Sequence, residues 1–166
     1  MMYETVFEKF AKNNLRYVVI GGIAVNFHGF SRATSDLDIL MVLSDEEIRK
    51  FISIVTELAY SPRQHIALSD LLNPEKRREW IEEKNMKVFS LIRHNNPMET
   101  IDLMIHCPLE FESIYERRLL MPFRQIEIPV ASIPDLIELK KWAGRERDLI
   151  DIKALKKIQE LQHDPS

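Results

Sequence analysis

The stretch Gly21-Gly22-Ile23-Ala24-Val25-Asn26-Phe27-His28-Gly29-Phe30-Ser31-Arg32-Ala33-Thr34-Ser35-Asp36-Leu37-Asp38-Ile39 organises everything around it. Just before it, Tyr17 to Ile20 reads as a short apolar strand, which Gly21-Gly22 breaks. Ile23 to Phe27 reads as a short helix ending at Gly29, a frequent C-terminal position for glycine. Asp36 to Val42 then alternates acid and aliphatic over its first four residues, as a strand with one acidic edge does. Period-two geometry points Asp36 and Asp38 to the same face while Leu37 and Ile39 enter the core. Two carboxylates at that range repel, and without a cation one of them is driven towards protonation. The pair therefore suits a hard divalent metal. A bare Asp-x-Asp is more often an exposed strand face, and a bare Gly-Gly is a tight turn. Together they mean more, because backbone amides at a helix start can cradle phosphate. The P-loop and dinucleotide-fold readings fail, since no Lys-Ser/Thr follows the glycines and the third glycine does not stand at the dinucleotide-fold spacing.

Working outward, Val6, Phe7, Phe10 and Ala11 recur at helical spacing and predict a helix over residues 3–13. Ser44-Asp45-Glu46-Glu47 forms a capping box for a helix carried by Ile48, Phe51, Ile52 and Val55, and Ser61-Pro62 ends it. Residues 63–73 read as a loop. Pro74 to Lys84 read as a charged surface helix anchored by Trp80 and Ile81. Strands are expected over Lys87 to Ile92 and Thr100 to His106, joined through Asn95-Asn96-Pro97. A helix around Leu109 to Arg118 and one more strand, Phe123 to Ile128, follow. Ser132-Ile133-Pro134-Asp135 starts another helix, which Gly144 stops or kinks. The last helix runs from Glu146 to about Gln162, with Leu149, Ile152, Leu155, Ile158 and Leu161 on its buried side. Strands mixed with helices, without regular βαβ alternation, indicate an α+β or mixed α/β fold: a small mixed sheet flanked by helices, with a helical C-terminus.

Composition agrees with this. The chain has 166 residues with 45% hydrophobic and 30% charged residues, which excludes disordered and collagen-like classes. Only four glycines occur, against about twelve at average usage, and three of them fall in the quoted stretch. Cys107 is alone, so no intramolecular disulfide can form and a reducing, cytoplasmic location is expected. The start lacks a signal-peptide pattern, and no apolar run approaches the roughly eighteen residues of a membrane span. A net charge of −3 argues against wholesale coating of nucleic acid but allows a local basic groove. Arg77, Arg78, Lys84, Lys87 and Arg93 cluster around Trp80 in a way that suits nucleic acid. The interleaved Glu75, Glu79, Glu82 and Glu83 favour a solvated, self-paired helix instead.

Thr100-Ile101-Asp102-Leu103-Met104-Ile105 repeats the acid-within-aliphatic pattern. Asp102 points away from the core face, whereas the rival Glu99 shares parity with the core set. If this strand neighbours the Asp36 strand, three carboxylates converge as ligands for two Mg²⁺ ions bridged by a nucleoside triphosphate. His28 reads as a structural histidine. Asp148 and Asp151 read as partners of Arg145, Arg147 or Lys140 rather than as metal ligands.

The quoted stretch, in the form Gly-Gly-x-Ala-x-x-x-His-Gly-x-x-Arg-x-Thr-x-Asp-x-Asp, resembles the signature of the DNA polymerase β-like nucleotidyltransferase superfamily. It looks most like the small bacterial and archaeal nucleotidyltransferase-like proteins related to abortive-infection toxins. Asp135 to Lys140, followed by Arg145 to Asp151, is similar to their C-terminal lysine and Arg-x-Lys/Arg-Asp-x-x-Asp stretch, so the likeness spans nearly the whole chain. It implies one nucleotidyltransferase domain over residues 1–166, with a core of about 1–130 and C-terminal helices over about 132–162. It also implies transfer of a nucleoside monophosphate from an NTP to an acceptor hydroxyl, with release of pyrophosphate. Asp36 and Asp38 would hold two Mg²⁺ ions, with Mn²⁺ as a substitute, and Asp102 would hold the ion at the acceptor and take the hydroxyl proton. Gly21, Gly22, Arg32, Thr34 and Lys140 would bind the nucleotide. The acceptor, whether RNA such as a tRNA end, a protein or a small molecule, stays open, as does an antitoxin or toxin partner. Two alternatives stand beside the enzyme: a non-catalytic antitoxin or nucleotide-binding regulator of the same fold, and a glycosyltransferase-type Asp-x-Asp site. The second is weakened by the Gly-Gly helix start and the small size.

Overall fold

Alternating side chains build the centre of the molecule: Leu37, Ile39, Ile101 and Leu103 are fully buried, and the residues between them face the other side. The computed structural model describes residues 2–163. Its strands are β1 (Tyr17–Val19), β2 (Asp36–Met41), β3 (Tyr60–Pro62), β4 (Val88–Arg93), β5 (Asn96–Met104), β6 (Leu119–Phe123) and β7 (Ile126–Val130). They form a seven-stranded sheet in the order β3-β4-β5-β2-β1-β7-β6. The sheet is mixed, as expected: β2 runs parallel to β5 and β1 parallel to β7, while the other pairs are antiparallel.

The helices are α1 (Glu4–Lys12), α2 (Gly21–Phe27), α3 (Asp45–Glu57), α4 (Pro74–Glu82), α5 (Phe111–Glu116), α6 (Ile133–Ala143) and α7 (Glu146–His163). Local chemistry explains several of their ends. Ser44 accepts from the Glu47 amide at the start of α3, Asn73 from Glu75 and Lys76 at α4, and Ser132 from Asp135 at α6. Gly144 takes φ +64 and stops α6, a left-handed cap that suits glycine. None of the helices is long and apolar enough to cross a membrane.

Several expectations need correction. Helix α3 ends at Glu57, and Ser61-Pro62 instead belongs to the edge strand β3, reached through Ala59 at φ 61. Proline is tolerated there because an edge strand has N–H positions that pair with nothing. Residues 63–73 include a 3₁₀ helix, Leu68–Leu72, whose Leu71 is fully buried. The single strand expected near Phe123 is a hairpin, β6–β7, turning at Arg124 and Gln125. Pro122 and the absence of alternation in Leu119–Phe123 hid its first half. Finally, of the residues expected on the inner side of α7, Leu155 is fully buried and Ile152 and Ile158 pack partly buried against the core, but Leu149 and Leu161 are 67% and 69% exposed, and α7 buries Asp148 and Asp151 as well. Its inner face is chosen by ion pairs, which apolar periodicity does not register. The Gly-Gly pair also lies inside α2 rather than before it.

Tyr3 holds the two acid-bearing strands in register from beneath. Its buried hydroxyl contacts the carbonyl of Ser35, which precedes β2, lies 2.8 Å from the Thr100 carbonyl and accepts from the Thr100 amide at 2.9 Å. Replacing Tyr3 by Phe strands a buried amide, which costs about 1–3 kcal/mol. Urea denaturation of Tyr3→Phe is expected to show a lowered midpoint with an unchanged slope; an unchanged midpoint contradicts the bridging role.

Candidate active site

Three strands and one helix start converge on the site. β2 and β5 run parallel in the register Asp36↔Thr100 and Asp38↔Asp102, so Asp38 and Asp102 are direct neighbours across two strands. The adjacency inferred from the sequence is therefore present, and Glu99 is excluded: it is buried and engaged by Tyr60, Arg93 and Asn96. Asp36 sits two residues earlier on the Asp38 face, its Oδ1 accepting from Ser35 Oγ at 3.1 Å.

The acids perturb each other. Burial pushes the Asp38 carboxyl up to about 7, and the charges of Asp102 and Asp36 push the same way; Arg145 and the Gly22 amide oppose them. Asp102 is also raised, chiefly by burial, against the Ser90 hydroxyl and with Asp36 adding, while Arg63 and Arg145 pull it down. Its Oδ1 is buried without a hydrogen-bond partner. An orphaned carboxylate oxygen beside a second half-buried carboxylate is an oxygen donor set of the kind a hard divalent cation takes. Among the described residues no three or more acids, histidines or cysteines are drawn together as a ready-made ion site. The sheet provides a facing pair, with Asp36 alongside.

Gly21 and Gly22 are explained by close approach. Gly21 has φ +67, and a Cβ on it would lie 2.0 Å from Asp38 Oδ2; a Cβ on Gly22 would lie 2.6 Å from Thr34 Oγ1 and 2.7 Å from Arg32 Nη2. The start of α2 is thus pressed between the Asp38 carboxylate on one side and Thr34 and Arg32 on the other.

The cations expected to meet a triphosphate are already tied down. Arg32 Nε lies 2.8 Å from Asp151 Oδ1, and Lys140 Nζ sits 2.6 Å from Asp151 Oδ2 and 3.3 Å from Asp148 Oδ1. Arg145 Nε lies 3.0 Å from Asp148 Oδ2. Burial raises Asp148, but the Arg145 hydrogen bond and the Lys140 charge outweigh it and leave the carboxyl below its ordinary range. The orienting role expected of Asp148 and Asp151 is therefore met with Lys140 and Arg145, and Asp151 also holds Arg32. Lys140 is buried, yet with Gly21, Asp38 and Arg145 it lines a small pocket of about 50 Å³. His28 is structural, its Nε2 lying 2.8 Å from the Ala131 carbonyl. In the mid-chain basic segment Lys84 pairs with Glu79, as a solvated helix would have it.

Two site residues escaped the sequence reading. In the sequence Arg145 reads only as a partner for Asp148 or Asp151, yet its charge reaches both Asp38 and Asp102. Arg63 lies in a segment the sequence reads as a loop, where no periodicity or motif marks it. Its backbone N–H extends the β3–β4 ladder by donating to Ser90 O at 2.9 Å, and that places its side chain near Thr100 and Asp102.

Residues 3–164 match the model of the family described as "Nucleotidyltransferase of unknown function (DUF6036)", and the chain belongs to that family of nucleotidyltransferase enzymes. No curated protein matches it in sequence. Solved structures share its fold. The lincosamide antibiotic adenylyltransferase LnuA, lincomycin-bound, is similar with a TM-score of 0.63 and 16% identity over 95% of this chain and 96% of that one. ANT(2'')-Ia in complex with adenylyl-2''-tobramycin gives 0.61 and 12% over 98% and 93%. An antigenic nucleotidyltransferase-like protein from Paracoccidioides brasiliensis gives 0.54 and 13% over 94% and 72%.

The raised Asp38 has a consequence for stability. An ordinary carboxyl, as in the unfolded chain, titrates near pH 4, but Asp38 in the folded protein does so at about 7. Between those values the folded form binds more protons, so this group's contribution is complete below about pH 4 and is lost as the pH rises through about 7. Asp38→Asn removes the penalty. Its Tm is expected to exceed the parent's by several degrees at pH 8 and to match it at pH 4; equal differences at both pH values contradict a raised Asp38.

Proposed function

We propose that this member of the nucleotidyltransferase family moves a nucleoside monophosphate from an NTP to an acceptor hydroxyl and releases pyrophosphate, using Asp36, Asp38 and Asp102 with Mg²⁺ or Mn²⁺. The observation that carries the reading is the Asp38↔Asp102 register beside the glycine-only start of α2. Phosphoryl transfer needs positioned charge rather than a covalent protein intermediate, and this arrangement can supply it. Asp36 and Asp38 would hold two ions with the triphosphate completing their shells, and Asp102 would hold the ion at the acceptor. Held by these carboxylates, the ions would supply the charge that neutralises the phosphate oxygens and favours the ionised acceptor hydroxyl.

The chain's own residues do the rest. The missing side chains at Gly21 and Gly22 let Asp38 close on one side of the start of α2 and Thr34 with Arg32 on the other, and the backbone amides there would meet the phosphates. Asp151 holds both Arg32, beside Gly22, and Lys140, which lines the pocket at Gly21 and Asp38, while Arg145 stands at Asp38 and Asp102. Asp102 takes the hydroxyl proton; the acceptor oxygen bonds to the α-phosphorus, and the bond from that phosphorus to the β-phosphate bridging oxygen breaks, carrying its electron pair away with pyrophosphate. An adenylyl group is the natural first choice, because two of the structures similar to this chain are named for adenylyl transfer or hold an adenylylated product. Their named ligands also favour a small-molecule acceptor over RNA or a protein.

A non-catalytic partner, such as an antitoxin or nucleotide-binding regulator, gains from one observation: Asp151 already pairs with both Arg32 and Lys140. One experiment separates the two. The purified chain is incubated with each α-labelled NTP and Mg²⁺, with small hydroxyl acceptors, total RNA or protein. Label is expected in an acceptor fraction, to vanish with EDTA and to fall about 10²- to 10⁴-fold in Asp102→Asn. Tight NTP binding with no transfer to any acceptor sinks the enzyme reading.

A further inference from the structure

We infer that Arg63 is a specificity-determining residue on the acceptor side, and that the acceptor is a hydroxyl compound carrying an oxyanion, of the phosphate type, close to the attacked hydroxyl. The inference rests on the transfer reaction proposed above for placing that hydroxyl at Asp102. It begins with the lateral order of the sheet. Gly21 follows β1 and touches Asp38 on β2; Asp102 lies next on β5, Ser90 faces Asp102 from β4, and Arg63 follows β3 and is anchored to Ser90. The phosphate-cradling amides therefore stand on one side of the carboxylate pair and Arg63 on the other. A molecule with its hydroxyl at Asp102 extends over β4 and β3, away from the nucleotide.

Charge pairing sets Arg63 apart. Arg32, Lys140 and Arg145 each have a carboxylate partner within 3.3 Å. Among the described residues Arg63 has no ion pair; its guanidinium makes one long hydrogen bond, 3.4 Å from Nη2 to Thr100 Oγ1. Thr100 stands opposite Asp36 in the β2–β5 register and two residues before Asp102, so the guanidinium lies over the acid-bearing edge with most of its donors uncommitted. A planar, permanently charged fork exposed beside an acidic site recognises oxyanions bidentately and repels cationic acceptors. Asp102, whose Oδ1 is buried without a hydrogen-bond partner, lies at the same place, where the reaction proposed above puts the attacked hydroxyl. A ribose or other polyol with a nearby phosphate satisfies both groups at once, and it could come from a small sugar phosphate or from an RNA 3′ end.

The test uses the full chain with Mg²⁺ and an ATP analogue that cannot be cleaved between its α and β phosphates. Calorimetric affinities are measured for ribose, ribose 5-phosphate and a trinucleotide RNA with a free 3′ hydroxyl. At least one phosphate-bearing probe is expected to bind about tenfold or more tighter than ribose. In Arg63→Gln that advantage is expected to shrink to about threefold or less, with affinity for the ATP analogue unchanged; Arg63→Lys keeps part of it. Gain with the RNA alone assigns the oxyanion to nucleic acid, and gain with ribose 5-phosphate assigns it to a small metabolite. Equal binding of all three probes overturns the inference, as does an advantage that survives in Arg63→Gln or a loss confined to the nucleotide. Label transfer from α-labelled ATP to the same probes is run in parallel. Absence of transfer with the Arg63-dependent advantage intact sinks the reaction and leaves the oxyanion site standing.

Discussion

The rest of the site depends on repulsion between two carboxylates that parallel pairing of β2 and β5 sets side by side. Asp38 and Asp102 share a register position, Asp36 is two residues from the first, and the Asp38 carboxyl is held high by burial and by its acidic neighbours. A sheet centre rich in buried Leu and Ile could have had apolar residues at these positions at no such cost. Retaining the acids fits chemistry better than stability, because strained ionisation is characteristic of functional sites. The neighbouring features answer that strain: the glycine-only approach of α2, the Gly22 amide at Asp38, the Ser90 hydroxyl beside Asp102, and the charges of Arg145 and Arg63.

The C-terminal helices do more than cover the sheet. Asp151 joins Arg32, from the segment before β2, to Lys140 on α6, while Asp148 joins Lys140 to Arg145 between α6 and α7. Ion pairs built on buried aspartates contribute little net stability, since desolvation offsets most of the attraction, but they fix relative geometry. Here the geometry concerns the guanidinium beside Gly22 and the one beside Asp38. The same network explains why α7 turns two aspartates inward and leaves Leu149 and Leu161 in solvent.

Local patterns carried much of the fold. The strand–Gly-Gly–helix–Asp-x-Asp order, the caps at Ser44 and Ser132, the stop at Gly144 and the parity of Asp102 all follow from periods and side-chain chemistry that act within a few residues. The misses share a cause in the other direction. β3 and β6 are edge strands containing Pro62 and Pro122, so pairing with a distant strand, not their own propensity, makes them strands. Leu71 is buried because α3 and α4 pack beside it, which no periodicity in residues 63–73 announces.

By itself the sequence determined which residues could do chemistry and which way each points from its own strand or helix, because side-chain direction is a local property of the backbone period. Only the tertiary structure decided which of them meet. The β2–β5 register brought Asp102 to Asp38, Tyr3 bridged their strands from just before the remote helix α1, and ion pairing gave Arg32 and Lys140 to Asp151. Arg63, invisible in its segment, was carried to the acids by the ladder to Ser90. Contacts between segments far apart in the chain depend on pairing and packing of the whole sheet, and that information is not contained in any short window of residues.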